Sequence, residues 1–111
     1  MIHIIRTKTT PQQIQDMLEE LKDYIKLAVD VKERIVAGGG EMHADCEEAL
    51  LADGSQQKDI WGADWLPDKK IVRFQSLINI RPKQGNRSMV IEDMALQGSI
   101  ERVVRERLEL P

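Results

Sequence analysis

Two runs of alternating side chains, 60–66 and 71–80, flank the turn sequence PDKK in the second half of the chain. The first run places both tryptophans on one side and Asp64 on the other. Successive residues of a strand point to opposite faces, and proline followed by aspartate is common in turns. The pattern predicts an antiparallel β-hairpin with one face in the core, which commits the chain to a fold built on a sheet.

Helices are predicted near both ends of the chain. One should begin at Pro11, because Thr10 can act as its N-cap and Gln13 can complete a capping box. Its apolar residues follow helical spacing: Ile14, Met17, Leu18, Leu21 and Ile25. The other should follow Asp93 as N-cap, with the apolar stripe Leu96, Ile100, Val103, Val104 and Leu108. Each helix therefore has one face that can pack on the sheet.

Residues 26–37 admit two interpretations. Heptad-like spacing would continue the first helix to Ala37, whereas the crowding of β-branched residues is typical of a strand, which we favour. The resulting prediction is a single α+β domain, residues 1–111. In it, an antiparallel sheet formed from residues near 26–43 and 59–81 packs against the N-terminal and C-terminal helices.

The segment GGGEMHADCEEALLADGS, residues 38–55, joins the predicted strand to a short helix after Asp45. Asp45 and Glu48 have the spacing of an N-cap arrangement, and Gly54 can take the left-handed conformation that ends a helix. The glycines could cradle a phosphate, but the lysine and hydroxyl of phosphate loops are missing and the neighbouring carboxylates repel anions. A bulge or a close approach of another backbone explains the glycines better.

A mixed metal site is one hypothesis for the same segment. If residues 41–45 are extended, Glu41, His43 and Asp45 point the same way, and Asp64 could join them. Imidazole and carboxylates together suit zinc or a harder divalent ion, and such a site would make the protein a metal-assisted hydrolase. The alternative is a hydrogen-bonded, partly buried His43. In our leading interpretation the protein has no cofactor.

The only basic cluster lies in the segment NIRPKQGNRSM. Its loop 81–88 could bind a small anionic ligand, with Arg81, Asn86 and Arg87 as donors. Glu41, His43 and Asn79 come from segments that an antiparallel sheet could bring to the same face. The alternative is structural, because an arginine at a strand end commonly bonds carbonyl groups or pairs with a carboxylate.

Composition narrows the class of protein. The formal net charge of −3 and the mixed charges of the last predicted helix argue against nucleic acid as a partner. No apolar run approaches the roughly 18 residues that a membrane span needs. One cysteine and the lack of a signal sequence predict a cytoplasmic protein without a disulfide and without membrane association.

The motifs GGGEMHADCE, LLADGS, WGADW and SLINIRPKQGNRSM give the chain a family resemblance. It resembles a family of small uncharacterised bacterial proteins of about this length, and the resemblance covers most of the chain from about residue 26. The resemblance assigns the chain to a family but implies no activity for it. Since no complete catalytic motif is present, we expect a non-enzymatic protein that acts as a homo-oligomer or by binding a protein partner.

Overall fold

The computed structural model describes residues 1–111 and contains five β-strands and three α-helices. In chain order they are β1 (His3–Ile5), α1 (Pro11–Met17), β2 (Ile25–Asp30), β3 (Ile35–Gly38), α2 (His43–Ala52), β4 (Ile60–Leu66), β5 (Ile71–Arg73) and α3 (Met94–Leu108). Short 3-10 turns lie at Gln57–Asp59, Leu77–Asn79 and Pro82–Gln84. None of the helices is long and apolar enough to cross a membrane. The predicted single α+β domain is confirmed.

All five strands form one antiparallel sheet in the order β1-β3-β2-β4-β5. The strand interpretation of residues 26–37 is confirmed, because β2 and β3 form a hairpin there and Ile25 begins β2 instead of ending a helix. The first helix is consequently shorter than its apolar stripe suggests. It ends at Met17, and the chain turns through Lys22, whose φ of 69° lies in the left-handed region.

The two outer helices are capped as predicted. Thr10 and Gln13 form a complete capping box at the start of α1. Asp93 accepts hydrogen bonds from the backbone N–H groups of Ala95 and Leu96 at the start of α3. These side chains satisfy N–H groups that the first turn of a helix leaves without partners, so both starts could be located from sequence.

Two apolar clusters cover opposite faces of the sheet. The larger one joins α1 and α3 to alternate strand residues, including Leu27, Val29, Val36, Trp61, Ala63 and Trp65. The smaller one joins α2 to the residues between them, Ala28, Ala37 and Ile60, through Cys46 and Leu50. The domain therefore has three layers, and the even-numbered residues of β4 lie on the α2 side.

The predicted strand 71–80 is wrong beyond Arg73, since β5 pairs with β4 through three residues only. The hydroxyl of Ser76 then accepts a hydrogen bond from the N–H of Ile78, which starts a 3-10 turn. Gly62 leaves room for this turn to cross β4, because a Cβ atom there would lie 2.5 Å from that of Ser76. The chain thus leaves the sheet edge and covers its α2 face.

The second helix starts earlier than predicted. α2 begins at His43 with Met42 as N-cap, so Asp45 lies in the first turn and does not cap it. Gly54 has the expected left-handed φ, +107°. Gly39 has a φ of +99°, and a Cβ atom there would collide with the carbonyl oxygen of Met1. The glycine run therefore permits the close approach of another backbone, which was one of the two structural roles predicted for it; the other was a bulge.

Candidate functional site

A histidine and a carboxylate meet where α2 begins beside β4. His43 is the first residue of α2, and its Nε2 lies 2.8 Å from Oδ1 of Asp64 and 3.1 Å from the carbonyl oxygen of Ala63. Both neighbours are acceptors, so we assign the ring hydrogen to Nε2. The other ring nitrogen, Nδ1, has no hydrogen-bond partner in the protein.

Asp64 is held from a second side by the neighbouring strand. Its side chain is only 8% exposed, and Oδ2 lies 3.3 Å from Nε of Arg73, the residue paired with it across β4 and β5. The guanidinium of Arg73 also lies over the ring of Tyr24, with Cζ 4.8 Å from the ring centroid. A buried carboxylate needs such donors, because desolvation is costly for a charge without partners.

A cavity of about 420 Å³ opens beside this pair, and we call it the His43 pocket. Its cationic residues are Lys26 and Arg73, and its other polar residues are His43, Asp64, Gln75 and Ser76. Met42, Ala44, Leu77, Ile78 and Met89 supply the apolar part of the wall. Nζ of Lys26 donates to the carbonyl oxygen of Glu41 at 3.1 Å. The pocket therefore combines donors, one buried acid and an apolar wall.

The four residues of the metal hypothesis are only partly brought together. His43 and Asp64 touch, whereas Glu41 and Asp45 are exposed, because α2 begins at His43 and residues 43–45 are not extended. No three His, Cys, Asp or Glu side chains form a group that could hold a metal ion. The fold thus supplies two of the four proposed ligands at one place.

Cys46 is buried in the small cluster under α2 and does not line the His43 pocket. Its Sγ lies 3.5 Å from the carbonyl oxygen of Lys26, and burial raises the pKa of the thiol to about 11. A thiol needs a lowered pKa to act as a nucleophile near neutral pH. Cys46 therefore belongs to the core and does not form a nucleophilic pair with His43.

Arg81 ties three segments together. It donates to the carbonyl oxygens of Ile78 and Gln57 at 2.9 and 2.7 Å, and to Oε2 of Glu47 at 3.0 Å. Its side chain is 10% exposed. Burial lowers the pKa of the guanidinium, and the nearby Glu47 opposes that shift. Each nitrogen of this guanidinium therefore already has a partner within the protein.

Asn79 and Asn86 are also bonded to backbone. Asn79 exchanges hydrogen bonds with both the N–H and the carbonyl of Gly62, at 2.8 and 3.0 Å. The amide of Asn86 donates to the carbonyls of Asn79, Ser88 and Val90, and its oxygen accepts from Glu92. Both residues are buried and fix the loop that follows the 3-10 turn.

The six residues of the ligand hypothesis therefore separate into three groups. Asn79, Arg81 and Asn86 hold the loop 81–88 to the sheet, and His43 lines the pocket. Glu41 and Arg87 are exposed. Their backbones are bonded, the Glu41 carbonyl to Lys26 at 3.1 Å and the Arg87 N–H to Glu92 at 2.7 Å, but their side chains have no hydrogen-bond partner. The fold does not gather the six around one cavity.

Sequence reasoning missed Lys26 and Arg73, the two cations of the pocket. Both lie directly beside Asp64 in the sheet, Lys26 across β2 and β4 and Arg73 across β4 and β5. The four-residue turn at 67–70 already implied that residue 73 faces residue 64 in the hairpin. The position of Arg73 could therefore have been predicted from the sequence. That of Lys26 could not, because no local sequence pattern sets the register between β2 and β4.

Comparisons with known proteins give a family match and nothing more specific. A family model described as "Protein of unknown function (DUF5674)" matches residues 3–107. No curated protein and no solved structure matches the chain significantly. The matched segment runs from β1 into the last turn of α3, so it contains the whole sheet and every residue of the His43 pocket.

Proposed function

The chain belongs to the family described as Protein of unknown function (DUF5674), and we propose that it is a non-enzymatic domain that binds a protein partner. The observation that carries this proposal is a group of exposed apolar side chains around the segments that follow β5. We call it the Leu77 surface, and its members are Met42, Leu77, Ile80 and Met89. Leu77 is 67% exposed. Clustered apolar exposure of this kind is typical of interaction sites.

The Leu77 surface joins two cavities. Leu77 and Ile78 line both the His43 pocket and a second cavity of about 570 Å³, which also contains Ile80 and Pro82. An apolar ridge between two concavities can receive a segment that packs across the ridge itself. The shape therefore favours a peptide segment or a helix of another protein as the occupant.

Charge narrows the chemistry of that partner. Four cationic side chains and two carboxylates line the two cavities, and both carboxylates are already ion-paired, Asp64 with Arg73 and Glu47 with Arg81. Lys26 and Lys83 have no ion pair. The unpaired charge that lines the two cavities is thus positive, although the chain carries −3. A partner segment with acidic residues beside apolar ones is complementary to it.

A different protein is favoured over a second copy of this chain. Symmetric self-association through the Leu77 surface would place the same patch on both sides of the contact. The unpaired lysines of the two copies would then approach each other, which disfavours the dimer. We therefore assign the surface to a heterologous partner.

The two alternative functions have less support. A metal-assisted hydrolase requires more ligands than His43 and Asp64 supply. An anion site at loop 81–88 requires free hydrogen-bond donors, whereas the donors of Arg81 and Asn86 are hydrogen-bonded to other groups of the protein. The missing metal ligands and the occupied donors of loop 81–88 do not bear on the Leu77 surface.

Selection of peptides from a random display library against the purified protein tests the proposal. We expect selected peptides to combine apolar residues with Asp or Glu and to bind more weakly at high salt. Leu77→Ser should abolish binding. Met94→Ser is the matched control, because Met94 is an exposed apolar residue that lines neither of these two cavities.

Two results would overturn the proposal. One is equal binding of the selected peptides by the Leu77→Ser and wild-type proteins. The other is a concentration-dependent dimer in light scattering that Leu77→Ser converts to a monomer, which would assign the surface to a second copy.

A further inference from the structure

We propose that the His43 pocket is a binding site for a free small molecule that carries one carboxylate beside an apolar group. This inference goes beyond partner binding and does not depend on it. It rests on the inventory of hydrogen-bond donors in the pocket, on its charge and on its volume, each of which points to the same class of ligand.

The pocket contains more donors than the protein uses. Nζ of Lys26 makes one hydrogen bond, and the two terminal nitrogens of Arg73 and the amide nitrogen of Gln75 make none within the chain. The backbone N–H groups of His43 and Ala44 begin α2, where Met42 provides no side-chain cap. Groups of this kind favour a ligand that accepts hydrogen bonds.

The acid in the pocket does not compete for these donors. Asp64 directs one oxygen to His43 and the other to Nε of Arg73, so its charge is already compensated. Lys26 and Arg73 together carry one positive charge more than Asp64 balances. The balance suits a ligand with a single negative charge, and the planar fork of a guanidinium matches the geometry of a carboxylate.

The volume of the pocket and its apolar lining indicate what the ligand carries besides the carboxylate. About 420 Å³ falls in the range of small-molecule sites and exceeds what a bare ion or one acidic side chain would fill. Met42, Leu77 and Met89 supply apolar surface to the same pocket. A carboxylate attached to an apolar body would bury both kinds of surface at once.

The first test uses 4-phenylbutyrate as probe, with 4-phenylbutylamine, acetate and phosphate for comparison, followed by amide chemical shifts. We expect 4-phenylbutyrate to shift the resonances of His43 and Gln75 at concentrations at which the other three do not. Because charge-assisted hydrogen bonds discriminate strongly, the amine of the same shape should bind at least about tenfold more weakly. Equal binding of the amine, tighter binding of phosphate, or no binding of the carboxylate would overturn the proposal.

Variants locate the site. Lys26→Gln and Arg73→Gln should each weaken 4-phenylbutyrate binding by about tenfold or more. Arg87→Gln is the control and should bind as the wild type, since Arg87 is an exposed arginine outside the pocket. Lys26→Gln leaves the Asp64 contacts intact, so it remains informative if Arg73→Gln fails to fold. Wild-type binding by the Lys26→Gln variant would place the ligand elsewhere and refute the site.

A last arm separates a free ligand from a partner's side chain. N-acetylglutamate amide stands for an acidic residue of a protein and should bind no more tightly than acetate. If it binds more tightly than 4-phenylbutyrate, the pocket belongs to the partner surface and this proposal fails. Peptide binding at Leu77 is measured separately, so failure here leaves the proposed partner binding untouched.

Discussion

The guanidinium of Arg81 lies over the indole ring of Trp61, with Cζ 4.7 Å from the ring centroid. A guanidinium stacked on an aromatic ring is stabilised by cation–π attraction. Its N–H groups, which lie in the guanidinium plane, remain free to donate hydrogen bonds. Arg81 uses these groups for two carbonyl groups and for Glu47. One side chain thereby fixes the loop 81–88, α2 and the 3-10 turn before β4 in a single arrangement.

Arg81→Ala should lower the free energy of unfolding by about 3 kcal/mol, because it leaves Glu47 as a half-buried carboxylate without its partner. Arg87→Ala is the matched control in the same loop and should change the free energy of unfolding by less than about 0.5 kcal/mol. Urea denaturation followed by tryptophan fluorescence measures both. A structural role is contradicted if Arg81→Ala is as stable as the wild type but loses stabilisation by added phosphate.

Two glycines should respond to alanine with opposite sign. Gly62→Ala should destabilise, since its Cβ atom would meet Ser76, and Gly98→Ala should stabilise by about 1 kcal/mol, since that position in α3 is open. Thermal unfolding of both variants gives the comparison. If the Gly62→Ala variant unfolds at the wild-type temperature, the 3-10 turn that follows Ser76 does not need a glycine beneath it in β4. The double variant Gly62→Ala with Ser76→Gly should recover part of the loss.

The elements that sequence predicted correctly have local causes. Thr10 and Asp93 fix helix starts because capping involves residues only two or three positions apart. The placement of Trp61, Ala63 and Trp65 on one face of β4 is likewise readable from a few residues. Strand 71–80 failed because its course depends on Gly62, a contact with a residue 14 positions before Ser76 that no local pattern encodes.

The candidate site was harder to predict for the same reason. His43 and Asp64 were both identified as polar residues of interest, yet their contact requires α2 to begin at His43 and to lie on the even face of β4. Helix starts without a capping side chain, such as that at Met42, have no clear sequence signal. Lys26 reaches the site only through the pairing of β2 with β4, which joins residues far apart in sequence.

Cys46 should make the protein less stable in alkaline solution. Burial raises the pKa of its thiol to about 11 in the folded state, against an ordinary value of 9.0. Below pH 9 both states hold the proton, so the thiol has no effect on the pH dependence. Between about pH 9 and 11 the unfolded chain releases its proton while the folded chain keeps it, so stability falls as pH rises.

The size of the effect follows from the two pKa values. Over that interval the wild type should lose up to about 3 kcal/mol that a Cys46→Ala variant keeps. All other ionisable groups are common to the two proteins, so the difference between their urea denaturation curves at pH 8 and pH 10.5 isolates the thiol. Iodoacetamide should alkylate the native protein far more slowly than the denatured one at pH 8, because the buried thiol is protonated there. Parallel pH profiles for the two proteins, together with rapid native alkylation, would mean that Cys46 is ionised and accessible, and that α2 does not seal the sheet face as the structure has it.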